Sequence, residues 1–257
     1  MYRSTHAVVD KKIGLLALAV LIFLIPVRSD GALITGSKLN IAGDGTVGAT
    51  FLNWNCDAPM GPACPASSGN FAVDSSTNTF SQYNGTFGFM KDLSNTSQPL
   101  NTTFSLPNFI TFALNSNEAI DLSFIPLGTD TPSADCAGLA HCTPEISLLA
   151  NATTNPLGLS SFNLDQISTG TSATFGVLGT IRDSSGSSAP ISGTYTAQFD
   201  GQSPQDVLNL FRTAGASGLN STYSAQFSFT VVPEPMAFSL VGIGLVGLGL
   251  LRRRRAV

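Results

Sequence analysis

From Tyr223 to Val231 the chain alternates without a break between apolar and polar side chains. Tyr223, Ala225, Phe227, Phe229 and Val231 fall on one side, and Ser224, Gln226, Ser228 and Thr230 on the other. A period of two cannot give a helix one apolar face. It requires an extended strand that buries one side and wets the other. Tyr195, Ala197 and Phe199 alternate in the same way with Thr194, Thr196 and Gln198, and Phe175, Val177 and Ile181 do so within 173–182. Ile110, Phe112 and Leu114 form another set, followed by Ile120, Leu122 and Phe124. Further candidate strands are 33–41, 46–54, 69–73, 85–91 and 145–150, separated by clusters of Gly, Asn, Asp, Ser and Pro. Asp44-Gly45 reads as a hairpin turn between two of them.

One segment reads as a helix. Ser203-Pro204 opens it, Val207, Leu208, Leu210 and Phe211 share a side, and Gly215 follows its end, which predicts a helix over 204–214. The strands flanking it share a phrase, Gly193-Thr-Tyr-Thr-Ala-Gln-Phe199 and Ser221-Thr-Tyr-Ser-Ala-Gln-Phe227, so they are expected as neighbours in one sheet. The fold expected is all-β, an antiparallel two-sheet β-sandwich with one short helix, a closed barrel being the alternative.

Both ends read as targeting segments. Lys11 and Lys12 precede an uncharged apolar run from Ile13 to Ile25 that Pro26 ends, the pattern of a secretory signal peptide. Cleavage is expected after Ser29, with Ala32 as the competing position. Residues 1–29 are therefore the leader, 30–230 an extracytoplasmic body and 231–257 a tail. In that tail, Pro233 and Pro235 make a stiff, non-helical box around Glu234. An apolar membrane segment, 236–251, follows, and then Arg252, Arg253, Arg254 and Arg255. Ala237 to Leu251 would span about 22 Å as a helix, short of a hydrocarbon core of roughly 30 Å. The arginines favour the cytoplasmic side, which leaves the body outside.

A Pro-Glu-Pro box, a short apolar helix and a terminal Arg cluster, in that order, resemble the PEP-CTERM sorting signal. The resemblance covers about 25 residues. It implies export through the Sec translocon and recognition by a membrane-embedded exosortase in a Gram-negative bacterium. It further implies transient anchoring in the cytoplasmic membrane and release of the body to the cell surface or exterior, where such bacteria typically make exopolysaccharide. By the same resemblance, Pro233, Glu234 and Pro235 are the recognition box and Arg252 to Arg255 the stop signal. The Gly242-Ile-Gly244-Leu-Val-Gly247 string matches a dinucleotide fingerprint in spacing only. It sits inside the apolar tail segment, without the strand before it or the acidic residue beyond it that the motif needs.

The body carries Lys38, Lys91, Arg182 and Arg212 against 14 acidic residues, a net charge of −10. Phosphate backbones repel such a surface, so nucleic acid is not an expected partner. The four cysteines, Cys56, Cys64, Cys136 and Cys142, suit disulfides in an exported chain. Three connectivities are open. Pairing within each local couple is favoured, each bridge contributing roughly 2–3 kcal/mol by loop entropy. Zinc held by His141 beside Cys142 has the wrong spacing for a finger.

No catalytic constellation stands out. His141 is the only body histidine, and no G-x-S-x-G elbow accompanies it. Asp130, Asp135 and Glu145 lie in one loop region as candidates for acid–base work on glycosides, and Asp44, or Asp130 with Asp135, for calcium. Solvated turn residues are the simpler reading of all of these, and no metal or cofactor is expected. Trp54 beside Cys56 is read as packing on the disulfide rather than as a sugar platform. Asn84, Asn95, Asn101, Asn151 and Asn220 begin N-x-S/T triplets, which have no eukaryotic meaning in bacterial export. The expectation is a non-enzymatic surface or matrix protein associated with exopolysaccharide. A carbohydrate-binding or adhesive module, with calcium or without, is the second reading, and a secreted polysaccharide hydrolase the third.

Overall fold

A computed structural model describes residues 36–48, 50–57, 63–146 and 158–229. The leader, the Pro-Glu-Pro box, the segment 236–251 and the Arg cluster lie outside the described residues. Among the described residues no helix is long and apolar enough to cross a membrane.

Thirteen strands are found among the described residues. They are β1 (Lys38–Val47), β2 (Phe51–Trp54), β3 (Ser68–Val73), β4 (Phe87–Lys91), β5 (Leu93–Ser94), β6 (Leu106–Phe112) and β7 (Ala119–Phe124), then β8 (Pro132–Ser133), β9 (His141–Pro144), β10 (Asn163–Ile167), β11 (Gly170–Arg182), β12 (Ser188–Asp200) and β13 (Leu219–Phe229). Eight of them close into an antiparallel barrel in the order β12-β13-β1-β3-β4-β6-β7-β11, with β11 returning to β12. This corrects the two-sheet sandwich. Alternation is the same in either architecture, because each asks only for one buried face. The pairings of β12 decide between them. It runs against β11 from Ser188 to Asp200 and against β13 from Ile191 to Thr196, so neither side of it is an edge. The shared phrase of β12 and β13 does mark sheet neighbours, with Tyr195 opposite Ala225 and Gly193 opposite Phe227.

Two strands are shared between the barrel and outer flaps. β1 pairs with β3 at Ile41 and Ala42 and with β2 at Gly45 to Val47. Asp44-Gly45 therefore lies inside a continuous strand and is not a turn; the chain reverses at Gly48, whose N–H bonds the Phe51 carbonyl at 2.9 Å. β11 pairs with β7 beyond Leu178 and with β10 before Thr174, and β10 carries β9 and β8 outward. The expected strand 145–150 does not form at Glu145 and Ile146, and its remainder lies outside the described residues.

An eight-stranded barrel is just wide enough for side chains to fill it, and aromatic rings do so here. Tyr195 stacks on Phe175 with ring centres 4.7 Å apart and on Trp54 at 5.0 Å, and Tyr223 meets the Trp54 edge at 4.7 Å. The space left among Trp54, Phe162, Phe175, Tyr195 and Tyr223 is about 40 Å³. A 3-10 helix, Asn78–Tyr83, plugs one end, with Tyr83 stacked on Phe112 at 4.1 Å and Phe80 against Phe229 at 5.8 Å. The α-helix, α1 (Pro204–Ala214), begins at a Ser203–Asp206 capping box and ends at Gly215, whose φ is +51°. Its buried Phe211 lies 6.0 Å from the Phe162 ring and 6.2 Å from that of Phe199, near the β9–β10 flap.

The plugged end holds two buried acids. Arg182 is opposite Ala119, so the next residues along, Asp183 and Glu118, face one another across the same pair. They are 3% and 2% exposed, and one oxygen of each has no hydrogen-bond partner among the described residues. Burial raises the Glu118 carboxyl, the Tyr83 hydroxyl donating at 2.8 Å pulls it back in part, and the Asp183 charge raises it further. The folded chain thus holds this proton to higher pH than the unfolded chain does. The stabilisation is complete below the ordinary value of 4.5 and is lost as pH rises through the raised one. Glu118→Gln is expected to remove that slope, so its deficit against the parent in urea unfolding shrinks or reverses between pH 5 and pH 8. Parallel pH profiles for parent and variant would contradict this.

Candidate functional site

The disulfides are local, Cys56–Cys64 and Cys136–Cys142, with Cα separations of 5.9 and 5.8 Å. The second tethers the start of the β9–β10 flap. Cys142 is buried, and its neighbour His141, alternating outward on β9, is exposed. His141 is directly opposite Asp165 of β10. Their side chains meet at 2.6 Å, Nδ1 of the imidazole to Oδ1 of the carboxylate. Asp130 reaches the same point from the loop before β8. Its backbone N–H donates to Thr143 Oγ1 at 2.9 Å and to Asn163 Oδ1 at 3.3 Å, and Thr143 Oγ1 donates to Asn163 Oδ1 at 2.8 Å. One donor atom from each of Asp130, His141 and Asp165 lies within 4.8 Å of the other two.

The electrostatics follow from this crowding. Asp165, by its hydrogen bond first, holds the His141 imidazole above its ordinary value; desolvation opposes it, and the Asp165 and Asp130 charges add to it. Burial, then the Asp165 charge, raises the Asp130 carboxyl, the His141 charge opposes them, and a side-chain hydrogen bond with Asp165 raises it further. Asp130 Oδ2 is buried and has no hydrogen-bond partner among the described residues. Among the described residues no lysine or arginine pairs with either acid; Arg212, on α1, donates instead to the Ala134 carbonyl, two residues before Cys136.

The structure thus regroups the expected residues. Asp130 and His141 come together, and Asp165, which the sequence did not single out, joins them. Asp135 turns away, accepting the Ala137 N–H at 2.9 Å. Glu145 is exposed, and its own N–H bonds the Ser133 carbonyl. No serine hydroxyl hydrogen-bonds His141 among the described contacts, so the geometry offers no nucleophile–base couple. Cys142 is committed to its disulfide and not to zinc. Asp44 lies at hydrogen-bond range of Asp57, and burial, then that contact, raises it. Trp54 is buried inside the barrel, its Nε1–H donating to the Lys91 carbonyl at 2.9 Å and its ring against Tyr195 and Tyr223, so it offers no face to a sugar.

No protein-family model, curated protein or solved structure matches the chain.

Proposed function

We propose that this chain is an exported cell-surface or extracellular-matrix protein, sorted by an exosortase, associated with exopolysaccharide and without catalytic activity. The observation that carries the reading is the pair of short-loop disulfides between two ends that read as export and sorting signals. Disulfides persist in oxidising compartments outside the cytoplasm. The Sec translocon and the exosortase are the partners in transit, and the cytoplasmic membrane is a temporary anchor. The stacked rings of Trp54, Phe175, Tyr195 and Tyr223 leave about 40 Å³ between them, which suits a packed, structural interior. The strongly acidic, hydroxyl-rich body suits a hydrated polysaccharide surround and disfavours nucleic acid.

A second reading, a carbohydrate-binding module, rests on an open groove of about 210 Å³ beside the first disulfide loop. Phe89, Lys91, Asn108 and Thr111 line its barrel side. A saturable, sugar-specific isotherm lost in Asn108→Ala would favour it.

Cell fractionation with thiol labelling tests the main reading. The chain should be recovered outside the cytoplasm with all four cysteines unreactive to maleimide until reduced. A cytoplasmic pool with four reactive thiols would overturn it.

A further inference from the structure

We propose that Asp130, His141 and Asp165 bind a divalent transition-metal ion of the zinc class, at a site facing solvent on the β9–β10 flap. This goes beyond the sorting role and does not depend on it. The donors are one imidazole nitrogen and two carboxylate groups. Calcium and magnesium take oxygen ligands, whereas an imidazole at the centre of the set selects zinc, copper, nickel or iron.

The dimensions agree. Donors about 2.1 Å from a tetrahedral zinc stand roughly 3.4 Å apart. The three donor atoms here already lie within 4.8 Å of one another, and His141 need only part slightly from its 2.6 Å contact with Asp165. Two independent features hold the set open to an ion. Among the described residues Asp130 Oδ2 is buried without a hydrogen-bond partner, and no lysine or arginine pairs with either carboxylate, His141 being the one basic group beside Asp165. Asp130 and Asp165 crowd their carboxyl groups together beside His141, and a cation among them relieves that repulsion.

The scaffold is rigid where the ligands attach. His141 is next to a disulfide-bonded cysteine, Asp165 is fixed opposite it by the β9–β10 register, and Thr143 and Asn163 clamp the Asp130 backbone. Ligands held this way by neighbouring hydrogen bonds bind metal with little reordering. The His141 side chain is 67% exposed, so an ion can enter from solvent. Three protein donors leave a fourth position to water or to an oxygen of an external ligand.

The test uses the full chain, stripped with EDTA, dialysed and titrated calorimetrically with Zn²⁺ alone. One saturable site with a dissociation constant in the micromolar range or tighter is expected. Asp130→Asn, His141→Ala and Asp165→Asn should each weaken it at least 30-fold, while His6→Ala, which alters the only other histidine, leaves it unchanged. Equimolar Ca²⁺ should not compete. Should a variant unfold, Co²⁺ added to the parent must shift the His141 ring protons in the NMR spectrum and spare those of His6. The proposal is overturned by any of three results: no saturable zinc site, binding indifferent to His141→Ala in the folded variant, or displacement of zinc by equimolar calcium.

Discussion

Trp54→Ala will lower the unfolding free energy by about 3–5 kcal/mol, the range for removing a large buried aromatic ring. Trp54 is 5% exposed and fills the barrel beside Tyr195 and Tyr223, at 5.0 and 4.7 Å. Alanine would enlarge a space that is already about 40 Å³. It would also leave the Lys91 carbonyl without the indole donor. Denaturant unfolding of the parent and variant measures this. A change under 1 kcal/mol together with lost glycan binding would mean that the ring works at the surface, and the account of the core would be wrong.

Gly179→Val will cost about 3 kcal/mol, the upper end for overpacking. The register of β7 against β11 shifts between Leu178 and Gly179. A Cβ at Gly179 would lie 2.1 Å from the Asp121 carbonyl oxygen. The obstacle is backbone, which cannot rotate aside as a side chain can. Relief therefore requires β7 and β11 to part, and this seam is one of those that close the barrel. Leu178→Val, one residue away on a side chain 45% exposed, should stay within about 0.5 kcal/mol. Equal, small effects at both positions would argue against a closed wall here.

Local chemistry was readable where it is decided by neighbours in sequence. The alternation of Tyr223 to Phe229 and of Thr194 to Phe199 marks β13 and β12, and Ser203, Pro204 and Gly215 bound the helix as found. The two cysteine couples are close enough in sequence that local pairing was the favoured choice, and it is what forms. What was not readable depends on partners far away. Asp44-Gly45 resembles a turn in isolation, yet pairing with Thr222 and Ser221 of β13 keeps it extended. Barrel closure rests on which strands flank β12, and periodicity is silent about that. Trp54 sits next to a disulfide loop in sequence but alternates inward on β2 with Leu52.

The candidate site shows the same division. Asp130 stands out in the sequence among the loop acids and His141 as the only body histidine. Asp165 does not, because it lies 24 residues from His141 and only the β9–β10 register brings it opposite. β9 itself, His141-Cys-Thr-Pro144, is too short to display alternation. Asp135 and Glu145, nearer in sequence, point elsewhere because the disulfide loop turns between Ser133 and Cys142.

The sorting of this body to the cell exterior is tested most directly by its intact mass and location in the native host, with and without exosortase. The account predicts a secreted form lacking Met1–Ser29 and the residues after about Pro235, carrying two disulfides, and seen only when the enzyme is present. A chain that keeps Arg252 to Arg255 and stays in the membrane in both strains would contradict it, leaving the tail as an ordinary anchor.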